Sequence, residues 1–327
     1  MIHSLYRTRA GHFRLDLHPD EFAAKLHNGR GLLWVDLEGE SSAEGERILS
    51  EVFKFHPLAV DDALSTQHIP KLDDWGTYLY LVLHAVSFNQ ASDAIETLEQ
   101  DVFLGENFIV THHEESIAAL ARMWATCQRD ERYLNSGPDH VLYELADMLV
   151  ADYLPVVEEM DDRIDEIENR VFDRPTPQML EHLFKLKRAL IRLRRIIGPQ
   201  REVLNKLARD SYSVIDAKDR VYFRDVYDHL VRLYDIVDST RDLVAGALDT
   251  YLSVVNNKMN DVMKTLTVIT TLFMPLSFVV GFFGMNFFQP VTPLDIWTGE
   301  PAFVATLAVM LMVPVVMFVW MRRRGWM

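Results

Sequence analysis

The fold is decided by residues 262–283, which read VMKTLTVITTLFMPLSFVVGFF. Lys264, near the start, is the only charged residue in this stretch. A helix rises about 1.5 Å per residue, so about 20 apolar residues span the hydrocarbon core of a bilayer, which is about 30 Å thick. A soluble domain would have to cover such a helix on every side. The stretch therefore predicts a transmembrane helix.

A second apolar stretch, residues 302–320, follows after a short connection. Lys258 precedes the first stretch and Lys264 lies near its start. Residues 322–324, all arginine, follow the second stretch, while the connection contains neither Lys nor Arg. Cytoplasmic flanks of membrane helices are enriched in these two residue types. The sequence therefore predicts a hairpin in the cell membrane, with both chain termini in the cytoplasm.

A polar stripe runs along the first predicted span and the residues before it. Its members recur in alternating steps of four and three, which is a repeat of about 3.5 residues. Polar groups that face lipid are costly, so the stripe must face protein or water. Such a repeat also indicates a left-handed bundle in which equivalent positions of several chains meet on one axis. The stripe consists of Asp249, Ser253, Asn256, Asn260, Met263, Thr267, Thr270, Met274, Ser277 and Gly281.

Two interpretations of the stripe stay open. A dry seam between packed helices uses small and hydroxyl residues, whereas a water-filled pore also accommodates Asn260 and Asp249. A ring of Asp249 carboxylates would repel itself in a dry seam, which favours the pore. Rings of Met263 and Met274 could close such a pore by excluding water.

The composition excludes several classes of function. The 327 residues carry a formal net charge of -15, which argues against nucleic acid because phosphates require a basic footprint. Cys127 is the only cysteine, so neither an intramolecular disulfide nor a cysteine-based zinc site is predicted. No apolar run follows the basic residues at the start, so we expect no signal peptide and a cytoplasmic N-terminal part. No nucleophile–base constellation or phosphate-binding glycine loop indicates an enzyme.

The first 130 or so residues alternate short apolar runs with turn and helix signals. Residues 31–37, 78–83 and 107–111 are predicted strands, because they are short apolar runs bounded by turn residues. Residues 56–64 and 116–127 are predicted helices between them. This alternation predicts an α/β domain.

Beyond Pro138 the strand signals stop and helical spacing takes over. Residues 141–172 form an acidic predicted helix, and a basic helix follows that Gly198 and Pro199 are predicted to interrupt. Residues 221–283 contain few helix breakers, so one long stalk helix is predicted to continue into the membrane. The predicted domains are a cytoplasmic α/β domain at 1–130, a cytoplasmic helical stalk region at 131–261, a first transmembrane pore helix at 262–286, an external loop at 287–300, a second transmembrane helix at 301–321 and a basic cytoplasmic tail at 322–327.

The first predicted span ends in Gly284-Met285-Asn286. This tripeptide alone is a weak signal, but it is a strong one at the outer end of the first of two C-terminal spans, after FMPLSF at residues 273–278. In this setting the chain resembles the CorA family of divalent metal ion channels, in the wider superfamily that includes ZntB-like zinc transporters. The agreement is closest from Asp147 to Phe287 and looser in the N-terminal domain.

The resemblance implies an architecture and an ion pathway. The implied assembly is a funnel-shaped homopentamer in the lipid bilayer, in which the α/β domain caps a stalk helix that becomes the pore helix. Gly284, Met285 and Asn286 are the implied outer selectivity filter. The implied pore or gate positions are Asn260, Met263, Leu266, Thr270, Met274, Ser277 and Gly281, with Asp249 in the inner vestibule.

The resemblance also implies metal sensors between neighbouring cytoplasmic domains. The matching residues are Asp61 and Asp62, facing the partner subunit's Asp225, with Asp147 and His229 as accessory ligands. Carboxylates suit a hard cation that takes oxygen ligands. The implied function is passive uptake of Mg²⁺, with Co²⁺ and Ni²⁺ as further candidate ions. Mg²⁺ is then both the transported and the regulatory ion, and no catalytic cofactor is implied.

Two segments depart from the expected patterns. Many relatives carry a glutamate in a Met-Pro-Glu-Leu stretch after the filter, whereas residues 287–295 here read FFQPVTPLD and leave Asp295 and Glu300 as the acidic residues near the mouth. His112 and His113 follow a predicted strand, where adjacent side chains point to opposite faces. We interpret them as a solvated strand end rather than as a zinc site.

Two alternatives to magnesium uptake stay open at this point. The first is a zinc transporter of the ZntB type. The Met285 form of the filter triplet and the mainly oxygen ligands of the implied sensor argue only modestly against it. The second is a membrane-tethered scaffold or signalling protein without transport. The polar stripe argues against a tether, since a tether has no reason to place Asn and Ser along one line of an apolar helix.

Overall fold

The computed structural model describes residues 1–8, 10–27, 31–39, 43–65, 69–89, 91–285 and 299–325. The chain forms two compact units, Met1–Asp249 and Thr250–Met327. The first unit is an α/β domain with a helical region, and the second contains the apolar part of the chain. The predicted α/β domain, long stalk helix and C-terminal apolar helices are therefore confirmed.

The sheet of the first unit has seven strands in the order β2-β1-β3-β7-β6-β5-β4. Strands β3 and β7 are parallel and all other neighbours are antiparallel, so the sheet is mixed. The three predicted strands correspond to β3, β5 and β7, while the other four lie outside the predicted strands. The strands are β1 (Ile2–Thr8), β2 (Phe13–Leu15), β3 (Gly31–Glu38), β4 (Lys71–Asp74), β5 (Tyr78–Asn89), β6 (Ala94–Gly105) and β7 (Phe108–His113).

Nine α-helices lie in the described part of the chain. Three short helices come before strand β4 in the sequence, and six longer helices come after strand β7. A turn of π-helix, Ile48–Val52, continues α2, and a turn of 3₁₀-helix, Glu131–Leu134, follows α4. The α-helices are α1 (Pro19–His27), α2 (Ala43–Arg47), α3 (Pro57–Leu64), α4 (Ala118–Arg129), α5 (Pro138–Ala151), α6 (Tyr153–Val171), α7 (Pro177–Arg209), α8 (Arg220–Phe283) and α9 (Glu300–Arg323).

Each face of the sheet has its own apolar core, because successive side chains of a strand point to opposite faces. Trp34 and Leu81 belong to the larger core, which is covered by α4 to α7 and by α8 as far as Ala247. Val35 and Tyr80, one position away in each strand, belong to the second core with Phe22 of α1 and residues of α3. The sheet thus fixes α3 on one face and α5 and α8 on the other.

Two predicted helix boundaries near prolines differ from those in the structure. The predicted helix at 141–172 is divided into α5 and α6, because Pro155 has no N–H to donate to the carbonyl of Ala151. The predicted interruption at Gly198 and Pro199 is wrong, since α7 continues through Pro199. The buried Gln200 side chain holds α7 to the sheet, accepting a hydrogen bond from the His84 backbone N–H at 2.9 Å. Tertiary packing here outweighs the lost helix bond.

The second unit contains two helices that are long and apolar enough to cross a membrane, the end of α8 and the whole of α9. Their apolar windows are not buried within the protein. On α8 a half-buried face recurs at helical spacing through Val268, Leu272, Leu276 and Val279. On α9 a matching face leads to Met321, which is fully buried. A hairpin of α8 and α9 is expected to bury these two faces against each other.

Candidate ion pathway and metal sites

The polar stripe of α8 is exposed along its whole length in the second unit. Met263 and Met274 are 56% and 66% exposed, and a Cβ added at Gly281 would meet no other atom within 4 Å. Asp249, the last residue of the first unit, is exposed as well. Exposure is shared by the remaining pore candidates, Asn260, Leu266, Thr270 and Ser277, and by Thr267 of the stripe.

The stripe lies on a different side of α8 from the half-buried face. At about 100° per residue, Val279 lies about 160° around the helix from Met263. Thr270 and Thr271 show the contrast directly, because the first is exposed and the second is half-buried. In the described residues, the stripe is therefore not held against α9 of its own chain. A second copy of the helix or water has to cover it.

Two threonine hydroxyls on the stripe donate their hydrogen to backbone carbonyls of the same helix. Thr267 donates to the Met263 carbonyl at 2.8 Å, and Thr270 donates to the Leu266 carbonyl at 2.9 Å. Each hydroxyl has one donor and two acceptor lone pairs. The free lone pairs point away from the backbone that takes the hydrogen, so they can accept hydrogen bonds from the waters of a hydrated cation.

The implied filter begins directly after α8. The Gly284 N–H donates to the Val280 carbonyl at 2.9 Å, and Met285 is 51% exposed. A Cβ on Gly284 would come within 3.0 Å of the Val280 carbonyl oxygen, so the close turn favours glycine. Asn286, the third implied filter residue, lies outside the described residues.

Three of the implied sensor residues come together between α5 and α8. His229 lies between two carboxylates: its Nδ1 is 3.8 Å from an oxygen of Asp147 and its Nε2 is 3.9 Å from an oxygen of Asp225. Burial is the main cause that raises the pKa of Asp147, His229 opposes it, and Asp225 adds to it. A divalent cation would relieve this concentration of negative charge.

Glu144, one helical turn before Asp147 on α5, extends the same cluster and was missed by the sequence analysis. Burial raises its pKa, His140 opposes the shift, and Asp147 adds to it. Tyr143 has its pKa raised to about 12, mainly by burial and then by Asp147 and Glu144. The spacing of Glu144 and Asp147, three residues apart on a predicted helix, was the available signal, since residues at that spacing share a face.

Asp61 and Asp62 lie on α3, on the other face of the sheet from α5. Asp61 is exposed, whereas Asp62 forms an ion pair with Lys71 of β4. Lys71 also contacts Asp73 at 3.2 Å. The structure thus separates the implied sensor residues of one chain into two groups, Asp61 and Asp62 in one and Asp147, Asp225 and His229 in the other. Lys71 was not among the predicted residues.

A different carboxylate group, Asp139, Asp216 and Asp219, brings its oxygens within 4.8 Å of one another and is the tightest such set in the part of the chain that the structure describes. Its hydrogen bonds explain the arrangement. Asp139 accepts from the Asp216 N–H at 2.9 Å, and the Asp219 carbonyl accepts from the Tyr222 N–H at 3.0 Å, at the first turn of α8. The group therefore ties the loop before α8 to the start of α5.

The interpretation of His112 and His113 as a solvated strand end is wrong. Both are buried, because β7 is an interior strand and the acidic partners of both histidines are buried with them. His112 is 3.4 Å from Asp101 of β6, and His113 is 3.3 Å from Asp36 of β3. Burial raises the pKa of Asp101 to about 6.

Comparison with known proteins identifies the family. A family model described as "CorA-like Mg2+ transporter protein" matches residues 29–323. The chain belongs to this family. This CorA-like protein is 36% identical over 299 residues to the cobalt/magnesium transport protein CorA of Thermotoga maritima, covering 90% of its own length and 83% of that protein. The family consists of membrane transporters of divalent cations and is not a class of enzymes.

Solved structures support the fold of the CorA-like chain. The complete structure of the CorA magnesium transporter from Methanocaldococcus jannaschii matches with a TM-score of 0.82 at 22% identity, covering 99% of this chain and 98% of the other.

The zinc transport protein ZntB of Yersinia pestis is less similar in sequence than the Thermotoga maritima protein, at 24% identity over 273 residues, with 83% and 81% of the two chains covered. The zinc alternative is therefore not favoured.

Proposed function

We propose that this CorA-like protein is a homopentameric channel for passive uptake of Mg²⁺ across the cell membrane, with both termini in the cytoplasm. Co²⁺ and Ni²⁺ are secondary candidate ions. The observation that carries the proposal is the exposed polar stripe of α8, which lies away from the half-buried face of the same helix and leads to Gly284 and Met285. Five copies of this stripe around one axis would line a wet path.

The chemistry of the stripe suits a hydrated ion. Mg²⁺ gives up its waters reluctantly, so a pore that contacts the hydrated ion needs acceptors rather than fixed charges. Thr270 and Ser277 supply hydroxyl oxygens, and Asn260 and Asn286 supply amide oxygens. Rings of Met263 and Met274 form apolar constrictions that can close the path by excluding water.

The driving force requires no ATP in this proposal. An inside-negative potential of 100 mV is worth about 2.3 kcal/mol per charge, so a doubly charged ion gains about 4.6 kcal/mol on entry. Basic residues support the orientation, because Lys258 precedes the first span, Lys264 lies near its start, and residues 322–324 follow the second span. The predicted domain boundaries after residues 130, 261, 286, 300 and 321 are part of this proposal.

Closure is proposed to depend on Mg²⁺ bound between subunits. In one chain Asp147, Asp225 and His229 form a partial ligand set, and Asp61 and Asp62 form another on α3. A cation shared between the α3 group and the partner subunit's Asp225 would join neighbouring cytoplasmic domains. Its release would let carboxylates repel one another and favour the open state.

A matched pair of threonine variants tests the pore assignment. Thr270→Val replaces an exposed stripe hydroxyl by a methyl group, and Thr271→Val makes the same change on the half-buried face. Loss of about 1 kcal/mol of stabilisation for the passing hydrated ion corresponds to about a fivefold slower flux. We expect that slowing for Thr270→Val only, measured with a Mg²⁺-sensitive dye in liposomes. Equal fluxes for both variants and the wild type would place the ion path elsewhere.

A further inference from the structure

The ammonium group of Lys71 lies where a sensor cation is proposed to bind. It forms an ion pair with Asp62 of α3, contacts Asp73 of its own strand at 3.2 Å, and lies 5.1 Å from the centre of the Tyr80 ring. The side chain is only 30% exposed, so it is held between these groups. Lys71 belongs to β4 at the edge of the sheet.

We infer that Lys71 is a built-in competitor of the regulatory cation: its ammonium occupies the Asp62 carboxylate in the metal-free protein, and metal binding there has to displace it. This inference rests on the proposed sensor role of Asp62. It assigns to Lys71 the task of setting the cation concentration at which the channel closes.

The charge balance around Asp62 supports competition. Asp62, Asp73 and Lys71 together carry a formal charge of -1, which is a weak attraction for a divalent cation. Without the ammonium the two carboxylates contribute -2 and attract Mg²⁺ more strongly. Lys71 also brings a like charge toward the incoming ion, and that repulsion acts at close range between partly buried groups, where salt screens it poorly.

Lys71 is not needed to hold Asp62 in place. Val60 and Ala63 of α3 are buried in the core on that face of the sheet. The end of α3 is fixed by Ser65, whose hydroxyl donates to the Asp61 carbonyl at 2.7 Å and whose N–H donates to the Asp62 carbonyl at 3.3 Å. Removal of the ammonium should therefore abolish its ion pair with Asp62 without moving the helix that carries the carboxylate.

The test compares the Mg²⁺ concentration that half-closes the channel in the full-length protein, with Mg²⁺ applied to the α/β-domain side of a planar bilayer. Lys71→Met removes the charge and keeps much of the apolar stem, and Lys71→Arg keeps the charge. Removal of a unit charge close to a divalent ion should lower the half-closing concentration about tenfold in Lys71→Met. Lys71→Arg should remain close to the wild type.

Lys185→Met is the matched control, because Lys185 is 33% exposed and contacts Glu181 at 2.9 Å on α7. It should leave the half-closing concentration unchanged. An unchanged or higher concentration for Lys71→Met would overturn the inference, the latter because Lys71 would then orient Asp62 for the metal.

Asp62→Asn separates this inference from the proposed function. If Asp62→Asn weakens the Mg²⁺ response while Lys71→Met has no effect, only the role of Lys71 fails. If Asp62→Asn leaves the response intact, the sensor assignment itself fails and the Lys71 inference fails with it. Competition further requires that Lys71→Met has no effect in the Asp62→Asn background, which the double-mutant cycle measures.

Discussion

Asp225→Asn is the sharpest test of the proposed sensor, because it removes one charge and preserves the size of the side chain. Asp225 is 66% exposed and lies 3.9 Å from His229. A unit charge pair about 4 Å apart is worth about 1 kcal/mol in water, and the pair with a divalent cation is worth about 2 kcal/mol. The exposure of Asp225 makes the aqueous value the appropriate one. Loss of about 2 kcal/mol corresponds to about a thirtyfold weaker site.

The assay is the Mg²⁺ concentration that half-closes the channel, with Mg²⁺ on the α/β-domain side. Asp225→Asn should raise it about thirtyfold. Asp235→Asn is the matched control, since Asp235 is also exposed on α8 but lies about 15 Å further along the helix, beyond the screening length of about 8 Å at physiological salt. Wild-type closure in Asp225→Asn, or an equal shift in both variants, would refute the assignment of Asp225 as a ligand.

Three further variants probe the filter and the core. Asn286→Ala should abolish ion selectivity while leaving assembly intact, because it removes the filter amides; unchanged selectivity in flux assays would contradict the filter assignment. Gly284→Ala should also change selectivity, since its Cβ would come within 3.0 Å of the Val280 carbonyl oxygen, whereas Gly246→Ala has open space and should not. Burial raises the pKa of Asp101 to about 6 from an ordinary value of 3.8, so its stabilising contribution is present below about pH 4 and is lost as pH rises through 6. Thermal unfolding of Asp101→Asn should therefore lack this loss, and parallel pH curves for variant and wild type would contradict the assigned shift.

The parts of the fold that the sequence predicts are those with an uninterrupted apolar pattern. Strands β5 and β7 and the membrane part of α8 fall into this class, and the rest of α8 follows from its lack of helix breakers. Strand β6 does not, because Gln100 and Asp101 look solvated in sequence although both are buried, and Asp101 there accepts a hydrogen bond from the Tyr80 hydroxyl of β5. Pro199 predicts a break that the structure does not have, because packing of its neighbours keeps α7 intact.

The candidate sites divide in the same way. The stripe of α8 follows from local periodicity, so the sequence alone predicts it. The cluster of Asp147 and His229 joins residues from two helices that are far apart in sequence, and no period relates them; only the family resemblance pointed to them. The roles assigned to Lys71 and Glu144 depend on neighbouring residues in other helices and strands, which a linear sequence pattern does not reveal.

Both candidate sites are incomplete in one chain, as the proposed oligomer requires. Along the membrane part of α8 the stripe is exposed on a side that α9 does not cover, although polar groups facing lipid are costly. In the first unit, Asp62 on α3 and Asp225 on α8 lie on opposite faces of the sheet, so one chain cannot bring both carboxylates to one ion. A rotation axis that apposes copies of α8 would give the stripe water and other stripes as neighbours. The same axis repeats every surface, so α3 of one subunit can meet α8 of the next. A purified single chain that conducted Mg²⁺ would break this reasoning, because neither incompleteness would then need a partner.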